Sequence, residues 1–496
     1  AMRLSSDPDP ELRVKSYRVN MQAGDHSRGL NPVRGAGYYR SAADVAQSGK
    51  DRAVALLQLG RLSQNPDETR PLFEEALALY REVGDVEGEA VALHAIAGFL
   101  WWRGDTAGAD MHGAKALDLL DELPVGTAKA TVLTGGVSAF FLRGQAAEAL
   151  GLAEKAAPVV AAAGTTEDQI RLLDSRGGAL VELGESSGVE YLESAAEIAL
   201  DRNMTGAATT ALNNLATVVA LMRSTGEALV HIDKGLRLAE ERGLPIAANW
   251  SSFTKSEILM PMGRWDEALA LTEQVLSRDA KAGGSQAGTG AAFVRAAVLF
   301  HRGREREARE LFEPLLETAR EIKDQQVLAP VLSFAVELAY DAGDGAAVLA
   351  LSEEYDQATA DAPAFRSYFV AAVAAALAGT GHHDFLKRLV GSTRPVGAVG
   401  EVQVALSRGV LEFSCGEMDK AVEQFSSAVA SAEKAGRVLD GVLAQVGQAR
   451  ALLALGRDGE AQALLTSAHA KAESMGATKI LGRIAGLESG EAAARG

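Results

Sequence analysis

A glycine that returns about every forty residues limits this chain more than any other feature. It stands at Gly104, Gly144, Gly184, Gly263, Gly303, Gly343, Gly381, Gly416 and Gly456, with Arg223 where one more is due. The steps are 40, 40, 39, 40, 40, 40, 38, 35 and 40 residues. A fixed period of roughly 20 to 50 residues marks a repeat architecture. The stretch Gly263-Arg264-Trp265-Asp266-Glu267-Ala268-Leu269 shows one copy: a tight turn, then the start of an apolar-periodic helix.

Small residues recur at set offsets from that turn. Five residues after it stand Ala109, Ala149, Ala228, Ala268, Ala308, Ala421 and Ala461. Seven before it stand Ala97, Gly177, Ala216, Ser256, Ala296, Gly409 and Ala449. Small residues on two successive helices let the helices approach closely, while Leu, Val and Ile fill the space between. Gly135-Gly136 and Gly177-Gly178, inside helical patterns, are close-packing sites on this reading. A second glycine set (Gly84, Gly164, Gly243, Gly283, Gly436, Gly476) suits the left-handed residue that ends a helix. Each unit is therefore helix A, turn, helix B, loop, and no strand-like alternation is long enough for a sheet.

The small positions and turn glycine resemble the tetratricopeptide repeat over roughly residues 50–477. The resemblance implies an all-α, right-handed superhelical solenoid of about ten to twelve helix-turn-helix repeats, with helix A lining a concave groove. The pattern departs from the family in its period, near 40 rather than about 34. It departs also at the place eight before the turn, apolar in the family, which holds Arg176, Lys255, Arg295, Arg408 and Gln448. Long-period arrays of this kind are similar to repeat regions of large bacterial signalling ATPases and transcription regulators, and to free-standing scaffolds.

The expected layout follows. Residues 1–50 form a lead-in and a degenerate capping pair, with helices at 11–22 and 38–46 and a Gly-rich connection at 24–37. An array spans 51–362, with units near 51–85, 86–126, 127–164, 165–203, 204–243, 244–283, 284–323 and 324–362; the first has an enlarged turn at 63–68. The short steps mark 363–395 as an irregular unit or seam. Two regular units occupy 396–477, and 478–496 hold a cap helix and a frayed tail. The opening Ala1-Met2 reads as a cloning scar, which suits a piece of a longer natural chain.

The formal charge is −17, from 49 basic and 66 acidic residues. Such a surface repels nucleic acid and anionic lipid, so neither is expected as a partner of this chain alone. No window is apolar enough to span a membrane. One cysteine, Cys415, read as a small half-buried residue, excludes an internal disulfide and fits a cytoplasmic protein.

No phosphate-binding loop, nucleophile elbow or metal-ligand spacing occurs, so no catalytic residue, metal or cofactor is expected. The candidate site is the groove: Arg176, Asn213, Asn214, Trp250, Lys255, Arg295, Glu337, Arg408 and Gln448. Asn213 and Asn214 can hydrogen-bond a peptide backbone, and Trp250 offers a flat amphipathic face. The basic residues either form a ladder for an anionic segment or pair with glutamates between units. The leading expectation is a non-catalytic scaffold binding a partner peptide or helix. The alternative is the sensor region of a larger bacterial regulator that binds a small effector.

Overall fold

The computed structural model describes residues 9–29, 31–63, 65–282, 285–322 and 325–489. Among the described residues all regular structure is α-helical. The A helices are α1 (Pro10–Ser27), α3 (Gly49–Leu62), α5 (Val86–Trp102), α7 (Thr127–Leu142), α9 (Thr166–Glu182), α11 (Thr205–Met222), α13 (Pro245–Leu259), α15 (Gln286–His301), α17 (Gln325–Asp341), α19 (Pro363–Gly379), α21 (Gly397–Ser414), α23 (Val438–Ala454) and α25 (Thr478–Glu488). The B helices are α2 (Pro32–Val45), α4 (Pro66–Glu82), α6 (Thr106–Asp118), α8 (Ala146–Ala163), α10 (Gly188–Asp201), α12 (Thr225–Glu241), α14 (Trp265–Ala282), α16 (Glu305–Ile322), α18 (Gly345–Ala358), α20 (His383–Ser392), α22 (Met418–Ala435) and α24 (Asp458–Met475). The molecule is thus a solenoid of twelve helix-turn-helix pairs closed by one further helix.

The turn glycines explain the regularity. All nine have φ between 69° and 90°, where a side chain would be strained. At Arg223 the turn is made otherwise: Ser224 accepts a hydrogen bond from the Glu227 backbone and starts α12. Gly84, Gly243, Gly436 and Gly476 are left-handed as expected. Gly164 is not; it ends α8 in an extended conformation at φ −73°. Gly283 lies outside the described residues, as do residues 1–8 of the lead-in, Gln64 of the enlarged turn and the tail from residue 490.

Small residues set the helix spacing. A Cβ on Gly177 would come within 2.6 Å of the Gly188 carbonyl oxygen, and one on Gly188 within 2.3 Å of the Gly177 carbonyl oxygen. Gly178 faces the Phe141 ring and Gly135 the His94 ring in the same manner, at 2.4 and 2.1 Å. Trp265 is 1% exposed, donates its indole N–H to the Met260 carbonyl (2.9 Å) and stacks on His301.

Three expectations need correction. The Gly-rich stretch 24–37 is largely helix: α1 runs on to Ser27, and Asn31 with Pro32 starts α2. Gly24 is there because the Tyr39 ring lies on it, with the Tyr39 hydroxyl donating to Asp25 (2.7 Å). The unit at 363–395 does not interrupt the core. Its second helix, α20, is short, and α17, α19 and α21 pack directly on one another, so one apolar cluster runs from Ala329 to Val404. Cys415 is exposed.

Unlike an open ribbon, the superhelix touches itself. Its turn edge meets the starts of A helices about five units later. Thr205 donates to the Gly29 carbonyl (2.6 Å) and Arg28 pairs with Glu167 (2.8 Å). The Thr225 hydroxyl faces the Gly436 carbonyl (2.9 Å), and Leu439 N–H donates to the Pro261 carbonyl (3.0 Å). Arg302 reaches the Met475 carbonyl (3.3 Å), and Lys479 on α25 binds both Glu305 and Asp341.

Candidate ligand cavity

The described residues border a partly open cavity of about 3060 Å³. A helices line it in a stripe that follows the helical period. Ten residues before the turn stand His94, Asp174, Asn213, Phe253, Phe293, Ser333, Leu406 and Val446; four residues on stand Gly98, Ser138, Gly178, Thr217, Glu257, Ala297, Glu337 and Arg450. Successive α-helical residues turn by about 100°, so these places share one face.

Four of the nine sequence candidates face this space: Asn213, Asn214, Trp250 and Glu337. The basic-ladder positions do not. They lie two residues from the inward place, about 200° round the helix, on the outer side. There Lys255 pairs with Asp233 of α12 (2.7 Å) and Arg295 with Glu273 of α14 (2.8 Å). The Arg176 guanidinium lies 4.8 Å from the centre of the Tyr191 ring. Arg408 is exposed and Gln448 half-buried, and neither lines the cavity. The ladder is therefore structural stitching between helices, and the groove reading of Arg176, Lys255, Arg295, Arg408 and Gln448 is replaced by the inward stripe.

That stripe brings in residues the sequence reading passed over. The guanidiniums of Arg28 and Arg171 both bind Glu167 (2.8 and 3.3 Å), and Arg61 ends α3 beside them. Burial, with positive Arg171 and Arg61 nearby, holds the His94 ring down to about 3, so His94 is neutral. Farther round, Asn214 donates to Asp174 Oδ2 (2.7 Å), while Asp174 Oδ1 is buried without a partner. Burial pushes the Asp174 carboxyl up to about 7, against the opposing pull of the Asn214 bond. Glu257 is exposed to the cavity, and the protein crowded around it raises its carboxyl, with no cation among the described residues facing it.

Five buried polar atoms without a hydrogen-bond partner belong to cavity-lining residues: Arg171 Nη1, which has only a long ion pair to Asp168 (3.8 Å), Asp174 Oδ1, Asn213 Oδ1, Asn249 Oδ1 and Gln286 Nε2. Buried polar groups are ordinarily satisfied, because an orphan forfeits its bonds to water. An aromatic wall adjoins them. Trp250 of α13 meets Trp102 of α5 at 4.9 Å and Phe253 at 5.9 Å between ring centres, both edge-on. Among the described residues no group of three or more His, Cys, Asp or Glu could hold a metal ion, and no helix is long and apolar enough to cross a membrane.

No known protein family profile matches this sequence, and no curated protein matches it. Solved structures show similar helical arrays at low identity. A Rap protein complexed with competence and sporulation factor aligns at TM-score 0.37 and 10% identity, covering 86% of this chain and 97% of that one. A signal transduction ATPase with numerous domains and a tetratricopeptide repeat sensor, from Pyrococcus horikoshii, aligns at 0.42 and 14%, covering 86% and 56%. A human IFIT1 dimer with m7Gppp-AAAA aligns at 0.44 and 15%, covering 88% and 99%. Likenesses at this level say nothing of what this chain binds.

Proposed function

We propose that this protein is a non-catalytic receptor that holds a peptide or helical segment of a partner inside its superhelix. The observation that carries the reading is the set of amide side chains on the cavity wall, above all those of Asn213, Asn249 and Gln286. Amides offer donors and acceptors together, as a peptide backbone requires. Size supports the same occupant. Pockets for drug-sized molecules run to roughly 300–1,000 Å³, whereas this space is about 3060 Å³. A lone small effector would leave most of the wall untouched, which ranks the sensor reading second.

The test is selection of linear peptides from a random library on the whole protein, repeated on a variant with the cavity filled by Thr217→Trp. Thr217 is half-buried on the wall, so the new ring projects into the space. Peptides that bind the wild type and lose at least about tenfold on the filled variant, with unchanged melting, support the reading. Equal binding to both variants sinks it.

A further inference from the structure

The inner face of α13 carries three residues in register: Trp250, Phe253 and Glu257, spaced three and four apart. Residues so spaced sit one above another on a helix, and long side chains lean back toward its N-terminus. Glu257 thus stands one helical turn beyond Phe253 on the same face. The Phe253 ring is fixed from the other side, lying over Gly290 of α15, where a Cβ would come within 2.3 Å. Trp250 is fixed by Trp102 and Trp101 of α5, at 4.9 and 6.1 Å between ring centres. Three of the four tryptophans in the chain meet here.

Among the described residues no cation or hydrogen-bond donor answers the Glu257 charge. At the same level of the wall its neighbours are Thr217 on α11 and Ala297 on α15, both neutral. Other wall groups differ, since Glu167 has two guanidiniums, Arg437 pairs with Asp440, and Asp174 has at least its amide. Glu257 is exposed to the cavity, so a cation brought by a ligand reaches its carboxylate without displacing a protein partner, and the faces of Trp and Phe attract the same kind of group.

We propose that Glu257, with the Trp250–Phe253 wall, is a subsite for a guanidinium or ammonium group, supplied by an arginine, a lysine or the amino terminus of the bound segment. The assignment rests on the reading of the cavity as the ligand site and adds the sign of the ligand's charge there. That sign agrees with the chain's net charge of −17, which draws cationic partners toward it.

Small probes test the subsite without requiring a peptide to enter. Butylguanidinium and its neutral counterpart butylurea would be titrated at pH 9 against the whole protein, read by tryptophan fluorescence. The wild type is expected to bind the cation at least about tenfold more tightly than the urea. Glu257→Gln should abolish that preference with unchanged melting. Glu240→Gln, which removes one charge from the exposed side of α12, should keep it. Equal binding of the two probes by the wild type, or a preference that survives Glu257→Gln, overturns the proposal. A second arm replaces each Lys or Arg of a library-selected peptide with Gln. A position whose loss matters on the wild type but not on Glu257→Gln identifies the peptide as the source of the cation. If the probes discriminate and no peptide position couples, the subsite serves a free amine, and the peptide reading falls while the subsite stands.

Discussion

Lys255 and Glu257 stand two residues apart on α13 and lead opposite lives. Lys255 points outward, is ion-paired to Asp233, and helps stitch α13 to the preceding α12. Glu257 points inward and has no counter-charge. A second pair of places repeats the contrast: outward Arg295 is paired with Glu273, whereas inward Asp174 leaves an oxygen without a hydrogen bond. At these places the outer charge holds two helices together and the inner one does not.

The comparison can be broken or sharpened by substitution. The largest effect belongs to the packed side of helix A. Gly188→Ala forces a Cβ against a backbone oxygen that cannot yield, and should lower stability by about 3 kcal/mol, measurable by denaturant unfolding. An intact melting point there would mean that the interhelical spacing is looser than described.

Next comes the edge contact: Thr225→Val removes the hydroxyl that lies between two carbonyls, those of Ala435 and Gly436. A loss of about 1–2 kcal/mol is expected. The inner face has its own signature in pH. The Asp174 carboxyl is raised in the folded state, so the folded protein binds more protons than the unfolded one. Stability therefore falls as pH rises from about 4 toward about 7. Melting followed between pH 5 and 8 should show this slope reduced in Asp174→Asn; an unchanged slope would clear Asp174 of the role.

The outer pairs should matter less. They are partly exposed, and such pairs contribute about 0.2–1 kcal/mol each. The double change Lys255→Glu with Arg295→Glu should lower melting modestly and leave peptide binding as it was. A large loss of binding with unchanged melting would restore the basic ladder to the ligand site. Smallest of all is Gly98→Ala. Gly98 lies mid-helix on the cavity side with open space around it, so the change should raise stability by about 0.5–1 kcal/mol.

Much of this architecture was legible in the glycine spacing, because a left-handed turn residue admits few alternatives and the small positions followed from helix contact. The site was only half legible. The polar residues eight before the turn stand beside a small packing position and look like groove residues. The inward stripe mixes Gly, Ser, Ala, Phe and Glu, so it carries no hydropathy signal of its own. Counting one repeat back from Asn213 would have reached Asp174, and two helical turns on from Trp250 would have reached Glu257. The meeting of Trp102 with Trp250 could not be counted in this way, since it depends on how tightly the superhelix winds. At 24–37 the glycines misled for the opposite reason: Gly24 serves a ring, Tyr39, rather than a bend.

The meeting of the turn edge with helices five units later has a consequence for how the molecule comes apart. An open solenoid is nearly one-dimensional, each unit sensing its neighbours and the ends fraying independently. Here hydrogen bonds join residues 138 to 211 positions apart, so neighbouring coils are tied like turns of rope. Loss of α25 would release Lys479 from Glu305 and Asp341 in the middle of the chain. Unfolding should therefore be shared between distant units, and entry of a long segment must either thread an open end or part the coils for a moment.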